Sequence, residues 1–311
     1  MAGEVAQEVT ISVRKKIGVG DVRISEKAKQ YVNAALDGNR LSYGAYAQRF
    51  ETEFARLHGR LFSCYMNSGT SALQVGLASL KEYHGWPDGA KVLVPALTFV
   101  ASYNVVVQNN LTPVLVDVRM DDYGMDPLGA EEAALRHDPV AILPVHLFGR
   151  VSHPVLRRMR YPVLADSCET MFMPGCAEGD VSCFSTYACH LINTGVGGFA
   201  TTNDPDLAML IRSYANHGRS GIYTGIDDSL GIRETMDARF QFDRMGYSYR
   251  ATELEAALGC AELEDYQDNL AARRKHAGVL IMELADLPLR LPLVEGSAHK
   301  MLPIVTPPGV R

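Results

Sequence analysis

Several features that would each define a class of protein are missing from this chain of 311 residues. It has no stretch of about 18 apolar residues, the length that a membrane-spanning helix needs. It has no run of lysine or arginine, and its formal charge of −6 is modest, so nucleic acid is not the expected partner. The first twenty residues lack the apolar core and cleavage site of a secretory signal, and we therefore expect a cytoplasmic location.

A metal or iron-sulfur centre is not expected either, although the chain has six cysteines. No C-x-x-C or C-x-C pair is present. Cys168, Cys183 and Cys189 fall in apolar or tightly turning segments, where a cysteine is usually a small buried hydrophobe. The cysteine spacing therefore predicts no metal ligands.

The apolar pattern predicts an α/β fold. Continuous Val/Ile/Leu runs alternate with helical stretches such as 100–109 and 127–136, which indicates a largely parallel sheet covered on both faces. Ligands of such sheets bind beyond the carboxyl ends of the strands, so the residue after each run is a candidate for the site. The predicted strands are 61–66, 92–94, 113–116, 141–145 and 162–165, followed by 181–185 and 198–202 at a mixed sheet edge.

Outside the sheet, the pattern predicts one helical stretch at the N-terminal end and two long helices near the C-terminal end. The first covers 24–60, and the others lie near 250–268 and 270–286. Residues 218–245 are polar and predict an irregular segment, and 299–303 resemble the first strand of a further small domain.

A tight turn between a strand and a helix is the first candidate for a binding site. Gly69, Thr70 and Ser71 open the helix at 72–83, where free backbone N–H groups and the helix dipole favour an anion such as phosphate. Taken alone, the same turn favours an ordinary helix N-cap over a phosphate site.

Asp166 is the second candidate, because it directly follows the apolar run 162–165. A carboxylate at the end of a buried strand is costly unless it meets a cation or a hydrogen-bond donor. The alternative is an ordinary turn aspartate at a strand end. Phe99, after the strand at 92–94, would by itself be interpreted as a core residue.

Eight ordered sequence blocks resemble the DegT/StrS family of nucleotide-sugar aminotransferases, which are pyridoxal-phosphate-dependent enzymes of fold type I. The blocks are 41–44, 67–73, 95–102, 113–127, 145–149, 179–198, 217–219 and 249–259. The resemblance implies a three-layer α/β/α large domain with an N-terminal helical arm over 1–245. It also implies inter-domain helices and an incomplete small domain over 246–311, and a homodimer with shared active sites.

The resemblance also assigns roles to individual residues. Gly69, Thr70 and Ser71, with Ser185, match the group that grips the cofactor phosphate. Asp166 matches the partner of the pyridinium nitrogen, which lets the ring act as an electron sink, and Phe99 matches the aromatic ring that stacks on the cofactor. Glu169 would lie near the cofactor's 3-hydroxyl. Ser248 stands where an asparagine commonly reaches the phosphate of the neighbouring subunit.

One position departs from the aminotransferases of the family, because His190 stands where the Schiff-base lysine is normally found. Histidine forms no stable imine and residues 92–274 contain no lysine, so we expect pyridoxal or pyridoxamine phosphate to be held non-covalently. With a pKa near neutrality, His190 could transfer a proton at the C4′ carbon. Lys300 is too far along the chain from this motif to be assumed a replacement, and a lysine from a rearranged segment or from a partner subunit stays an open alternative.

Residues 166–169, Asp-Ser-Cys-Glu, together with His190, resemble the 4-keto-6-deoxysugar 3-dehydratase branch of the family. The leading hypothesis is therefore a dehydratase acting on a keto-sugar nucleotide, with His190 as the general base. Leu191 and Val196 depart from the pattern of that branch. An atypical aminotransferase acting on another substrate, such as a modified nucleotide, therefore stays open. So does a non-catalytic homologue with a binding or regulatory role, in which His190 merely fills space.

Overall fold

Seven strands in the described residues form one mixed sheet. The computed structural model describes residues 22–220, 240–292, 296–307 and 309. The strands are β1 (Phe62–Met66), β2 (Lys91–Pro95), β3 (Thr112–Val116), β4 (Ala141–Ile142), β5 (Leu164–Asp166), β6 (Val181–Ser185) and β7 (Gly198–Thr202). Strand β2 pairs in parallel with β3 and β4, and β5 pairs in parallel with β6. Strand β7 is antiparallel to both β6 and β1.

Two parallel bridges, Ile142 to Val163 and Val145 to Asp166, join β4 to β5. The strand order across the sheet is therefore β3-β2-β4-β5-β6-β7-β1. The expected mostly parallel sheet with a mixed edge is confirmed.

Helices cover both faces of this sheet. They are α1 (Glu26–Asp37), α2 (Ala45–Leu57), α3 (Gly69–His84), α4 (Val100–Gln108), α5 (Pro127–His137), α6 (Pro205–Ala215), α7 (Glu253–Glu264) and α8 (Tyr266–Leu284). Val92 packs in a core with α3, α4 and α6, whereas its neighbour Leu93 packs in a core with α5. Consecutive strand residues point to opposite faces, so the sheet is the middle of three layers. Within the described part of the chain, no helix is both long and apolar enough to cross a membrane.

The helical stretch predicted over 24–60 is two helices, α1 and α2, with a break between them. Asn39 and Tyr43 in the break have φ values of 52° and 33°, which no continuing helix adopts. The buried Glu253 carboxylate accepts hydrogen bonds from the backbone N–H groups of Gly44 (2.7 Å) and Tyr46 (2.6 Å). Glu253 therefore supplies the N-terminal cap of α2 from a distant part of the sequence.

The prediction of a strand at 299–303 is wrong, because these residues form no strand in the structure. Pro303 has no N–H to donate to a strand ladder. The preceding residues contact the loop after β4 instead: Ala298 N–H donates to the Gly149 carbonyl at 2.8 Å, and Ser297 forms an isolated bridge with Arg150.

Two other sequence-based expectations are not settled by the structure. Most of the irregular segment expected at 218–245 lies outside the described residues. The domain division at 245/246 stays a prediction, and α7 packs on both α1 and α2.

Candidate active site

A cavity of about 370 Å³ opens where β5 and β6 end and α3 begins. This volume lies within the range of small-molecule sites, and the position is the one at which open α/β sheets bind ligands. Seven of the nine residues predicted for the site line the cavity: Gly69, Thr70, Phe99, Asp166, Glu169, Ser185 and His190. The other lining residues are Ser68, Leu73, Ala101, Val145, Leu147, Cys168, Tyr187, Cys189, Val196, Gly197 and Lys300.

The turn at the start of α3 has the geometry of an anion site. Ser68 is the N-cap, and its hydroxyl oxygen accepts from the Ser71 N–H at 3.0 Å. Ser71 itself lies behind the cavity wall, where its hydroxyl donates to Asn67 Oδ1 at 2.7 Å. Ser68, Gly69 and Thr70 thus face the cavity, and Ser71 supports the turn.

Gly69 allows this turn to approach β6 closely. A Cβ atom on Gly69 would lie 2.7 Å from Ser185 Cβ and 2.8 Å from Cys168 Sγ. Any side chain at residue 69 would therefore push apart the helix start and the strand end that carries Ser185. A glycine is required here by contact distance.

Asp166 forms the polar end of β5 and is 5% exposed. Its carboxylate accepts hydrogen bonds from the Ser102 hydroxyl (2.7 Å) and the Cys168 N–H (3.1 Å), both neutral donors. Burial raises its pKa, which these two hydrogen bonds only partly oppose. In the described part of the chain, no lysine, arginine or histidine forms an ion pair with Asp166.

His190 lies on a turn that is fixed at both of its backbone polar groups. Its N–H donates to the Tyr187 carbonyl at 2.8 Å, and its carbonyl accepts from Arg273 at 2.9 Å. The ring Nδ1 is buried and has no hydrogen-bond partner among the described residues. The expectation of a near-neutral pKa is wrong in this setting, since burial, Lys300 and Arg273 lower the His190 pKa to about 3. The imidazole is therefore neutral at physiological pH.

Lys300 is not among the residues predicted for the site, and the structure places it in the cavity wall. Its ammonium lies 3.0 Å from Glu169 Oε1. The other oxygen, Oε2, accepts from the Phe148 N–H at 2.7 Å. No local pattern brings Lys300 to this place, because its partner stands 131 residues earlier in the chain.

The remaining predicted residues differ in how they relate to the cavity. Phe99 is 70% exposed, so its ring is available to a ligand and is not the core residue that the pattern alone would suggest. Ser185 is buried at the end of β6 and lines the cavity. Ser248 is exposed and lies outside the lining. Its predicted contact is with the site of a second subunit and stays a prediction.

The cavity fits the cofactor that the motifs imply. A buried carboxylate without a cationic partner is stabilised by a cationic ligand such as a protonated pyridine nitrogen. The turn at Gly69 and Thr70 offers backbone N–H groups to a phosphate, and Phe99 offers an exposed aromatic face. The carboxylate therefore matches the ring nitrogen of a pyridine phosphate, the turn matches its phosphate, and the Phe99 ring matches one face of the pyridine.

Together, the sheet order and this cavity define a fold type I enzyme of the pyridoxal-phosphate-dependent class. The chain belongs to the DegT/DnrJ/EryC1/StrS aminotransferase family, whose sequence profile matches residues 22–306. The family and the enzyme class expected from the eight motif blocks are therefore confirmed.

The curated relatives include a GDP-perosamine synthase and a sugar 3-dehydratase. GDP-perosamine synthase of Caulobacter vibrioides is 32% identical over 283 residues, covering 88% of this chain and 71% of the relative. The dTDP-4-dehydro-2,6-dideoxy-D-glucose 3-dehydratase of Saccharopolyspora spinosa is 30% identical over 301 residues, covering 89% of this chain and 62% of that protein.

Solved structures agree on the fold. An Escherichia coli GDP-4-keto-6-deoxy-D-mannose-3-dehydratase with bound hydrated PLP superposes with a TM-score of 0.84 at 23% identity, covering 94% of this chain and 79% of the other. A Bacillus subtilis protein, NtdA, with bound PMP gives 0.78 at 22% identity, covering 94% and 68%. The expected fold type I architecture is thereby confirmed.

Proposed function

We propose that this chain is a pyridoxal- or pyridoxamine-phosphate-dependent dehydratase of a nucleotide-linked keto sugar, with His190 as the general base. The observation that carries the proposal is the His190 ring, which lines the same cavity as Asp166 and keeps its buried Nδ1 without a partner among the described residues. The lowered pKa leaves the imidazole unprotonated at neutral pH, and the general-base role requires that this pKa rise toward neutrality when the cofactor occupies the cavity.

Each of the other residues has a defined task in this proposal. The N–H groups at Gly69 and Thr70, with the Ser185 hydroxyl, bind the phosphate. Asp166 holds the pyridine nitrogen in its protonated form, and Phe99 covers one face of the ring. When bound, the cofactor supplies an electron sink for a carbanion. His190 would take the proton from C4′ and pass it to the departing 3-hydroxyl of the sugar, which would leave as water.

An amino-transfer function is the second candidate, and a specific observation supports it. Residue 190 is a histidine and has no primary amine, but Lys300 provides one in the cavity wall. GDP-perosamine synthases are among the relatives at 30% identity or more. The two candidates differ in product, because dehydration removes the C3 oxygen and amino transfer replaces the keto oxygen by nitrogen.

We also propose a homodimer with shared sites. Helix α4 carries an exposed apolar stripe beside the cavity at Val100 (56% exposed), Tyr103 (40%) and Val107 (49%). Such a stripe at spacings of three and four residues is typical of a surface that packs against a partner. Light scattering after size-exclusion chromatography tests this, and a monomeric mass at micromolar concentration would remove the shared-site arrangement.

The function is tested with purified protein, pyridoxamine phosphate and either GDP-4-keto-6-deoxy-D-mannose or dTDP-4-dehydro-2,6-dideoxy-D-glucose. Mass spectrometry of the sugar is expected to show loss of the C3 oxygen. A product that has gained nitrogen without that loss would favour amino transfer. If neither cofactor form binds in equilibrium dialysis, the enzymatic proposal fails and a non-catalytic role is supported.

A further inference from the structure

Lys300 is the only lysine among the residues that line the cavity in the described part of the chain. Its backbone is held against the loop after β4, where Gly149 has a φ of +93°. A Cβ atom on Gly149 would lie 2.6 Å from His299 N and 3.0 Å from Lys300 N. Gly149 therefore permits a close approach that fixes the place from which the lysine side chain enters the cavity.

The lysine side chain is largely buried and has one acidic partner there. The side chains of Lys300 and Glu169 are 8% and 14% exposed, and the ammonium lies 3.0 Å from Glu169 Oε1. The Phe148 N–H fixes the second carboxylate oxygen at 2.7 Å. Glu169 therefore fixes the position of the amine in the cavity wall, and a lysine shielded from water is the usual source of an imine nitrogen in proteins.

We infer that Lys300 supplies the primary amine that binds pyridoxal phosphate covalently in the resting protein. The inference rests on the proposed function and deepens it, replacing the expectation of a purely non-covalent cofactor. The neutral amine adds to the aldehyde carbon, so a C–N bond forms and the carbonyl C–O bond breaks. Water leaves with that oxygen, and the ammonium proton passes to solvent. No electron donor or acceptor is needed.

This arrangement divides between two residues the work that one lysine does in the aminotransferases the sequence resembles. Lys300 forms and releases the covalent bond, and His190 transfers the proton. Both side chains line one cavity, and the positive charge of Lys300 is one of the causes that lower the pKa of His190. The residue that accepts the proton, His190, is therefore different from the residue whose amine holds the cofactor, Lys300.

The test is covalent trapping in the 311-residue chain. Stoichiometric pyridoxal phosphate is added, the sample is reduced with borohydride and digested, and the peptides are analysed by mass spectrometry. A pyridoxyl-phosphate group is expected on Lys300, and excess pyridoxamine phosphate is expected to prevent it. Exposed Lys29 is the internal control for non-specific reaction, because pyridoxamine phosphate should not protect a surface lysine.

The matched variant is Lys300→Arg, which keeps a cation for Glu169 but cannot form the imine. It should lose the adduct at residue 300 while its pyridoxamine phosphate affinity stays within about threefold. If pyridoxal phosphate binds the unmodified protein and no protected adduct forms on Lys300, or if the protected adduct is on another lysine, the inference is wrong and the proposed function stands. If neither cofactor form binds, both fail.

Discussion

The Ser102 hydroxyl donates a hydrogen bond to the Asp166 carboxylate at 2.7 Å and also lies 2.8 Å from the Thr98 hydroxyl. This chain of two hydroxyls orients the carboxylate from α4 without neutralising it. A buried carboxylate that has only neutral donors is a poor contributor to the stability of the protein without cofactor. The arrangement of Asp166 therefore favours binding of a cationic ligand and lowers the stability of the protein when that ligand is absent.

Replacing Asp166 with asparagine should change the stability of the cofactor-free protein and its affinity for the cofactor in opposite directions. Asparagine keeps the shape and can accept from the Cys168 N–H while donating to Ser102, so the cofactor-free variant should be more stable at neutral pH by about 1 kcal/mol. Its affinity for pyridoxamine phosphate should fall at least tenfold. Thermal unfolding and equilibrium dialysis measure the two quantities. A variant that binds as tightly as the parent would remove Asp166 from cofactor binding.

His190→Asn tests the general base. Asparagine cannot accept a proton at this position, so hydrogen exchange at C4′ of bound pyridoxamine phosphate in deuterium oxide should slow by about a hundredfold to ten-thousandfold. Cofactor binding should change little, because the phosphate turn and Asp166 are intact. Cys189→Ser, which alters a neighbouring lining residue, is the control. Unchanged exchange in the asparagine variant would assign the proton transfer to another group.

The charge of Lys300 should be visible in the titration of His190. Burial is the largest cause that lowers the His190 pKa, followed by the positive charges of Lys300 and Arg273. Lys300→Met removes one charge that disfavours the imidazolium, so the pKa should rise from about 3 toward its ordinary value of 6.5. NMR titration of labelled histidine measures it, with the exposed Lys275→Met as control. A constant value would show that the two side chains are not electrostatically coupled.

His146 should make the folded protein sensitive to acid. It is fully buried, its Nδ1 accepts from the Ser152 N–H at 3.1 Å, and burial together with Arg157 lowers its pKa to about 3. The folded-state pKa lies below the unfolded value, so the stability is fully present above about pH 6.5. As the pH falls below that value, the loss should approach about 1.4 kcal/mol per pH unit.

Denaturant unfolding between pH 7.5 and 5 tests this prediction for His146. The variant His146→Asn keeps an acceptor for Ser152 and should make the pH dependence less steep, while His58 and His190, whose pKa values are also lowered, retain part of it. The exposed His137→Asn is the control. An unchanged slope in the His146 variant would contradict the assignment.

Two glycine-to-alanine changes test the contact at the phosphate turn. Gly69→Ala places a Cβ atom 2.7 Å from Ser185 Cβ, so it should cost about 1–3 kcal/mol of stability and weaken phosphate binding. Gly278→Ala meets nothing within 4 Å inside α8 and should stabilise by about 0.5–1 kcal/mol. Differential scanning calorimetry of both variants measures these changes in stability. A tolerated alanine at residue 69 would show that the turn can move away from β6.

Local patterns predicted most of the scaffold. The periodicity placed β6 and β7 at their observed bounds, and each buried run corresponded to a strand of the sheet. The break between α1 and α2 was missed because its cap, Glu253, comes from about 200 residues further along the chain. The predicted strand at 299–303 is absent because a short local sequence does not show whether a partner strand lies beside it.

The sequence by itself determined the family, most of the strand and helix pattern, the glycine turn at the start of α3 and the replacement of the expected lysine by His190. These depend on residue identity and on neighbours close in the chain. Only the tertiary structure decided that Ser71 lies behind the cavity wall, that His190 is buried enough to be neutral, and that Lys300 meets Glu169 in the same cavity. Burial and ion pairing depend on which distant segments pack together, and no periodicity along one chain records that.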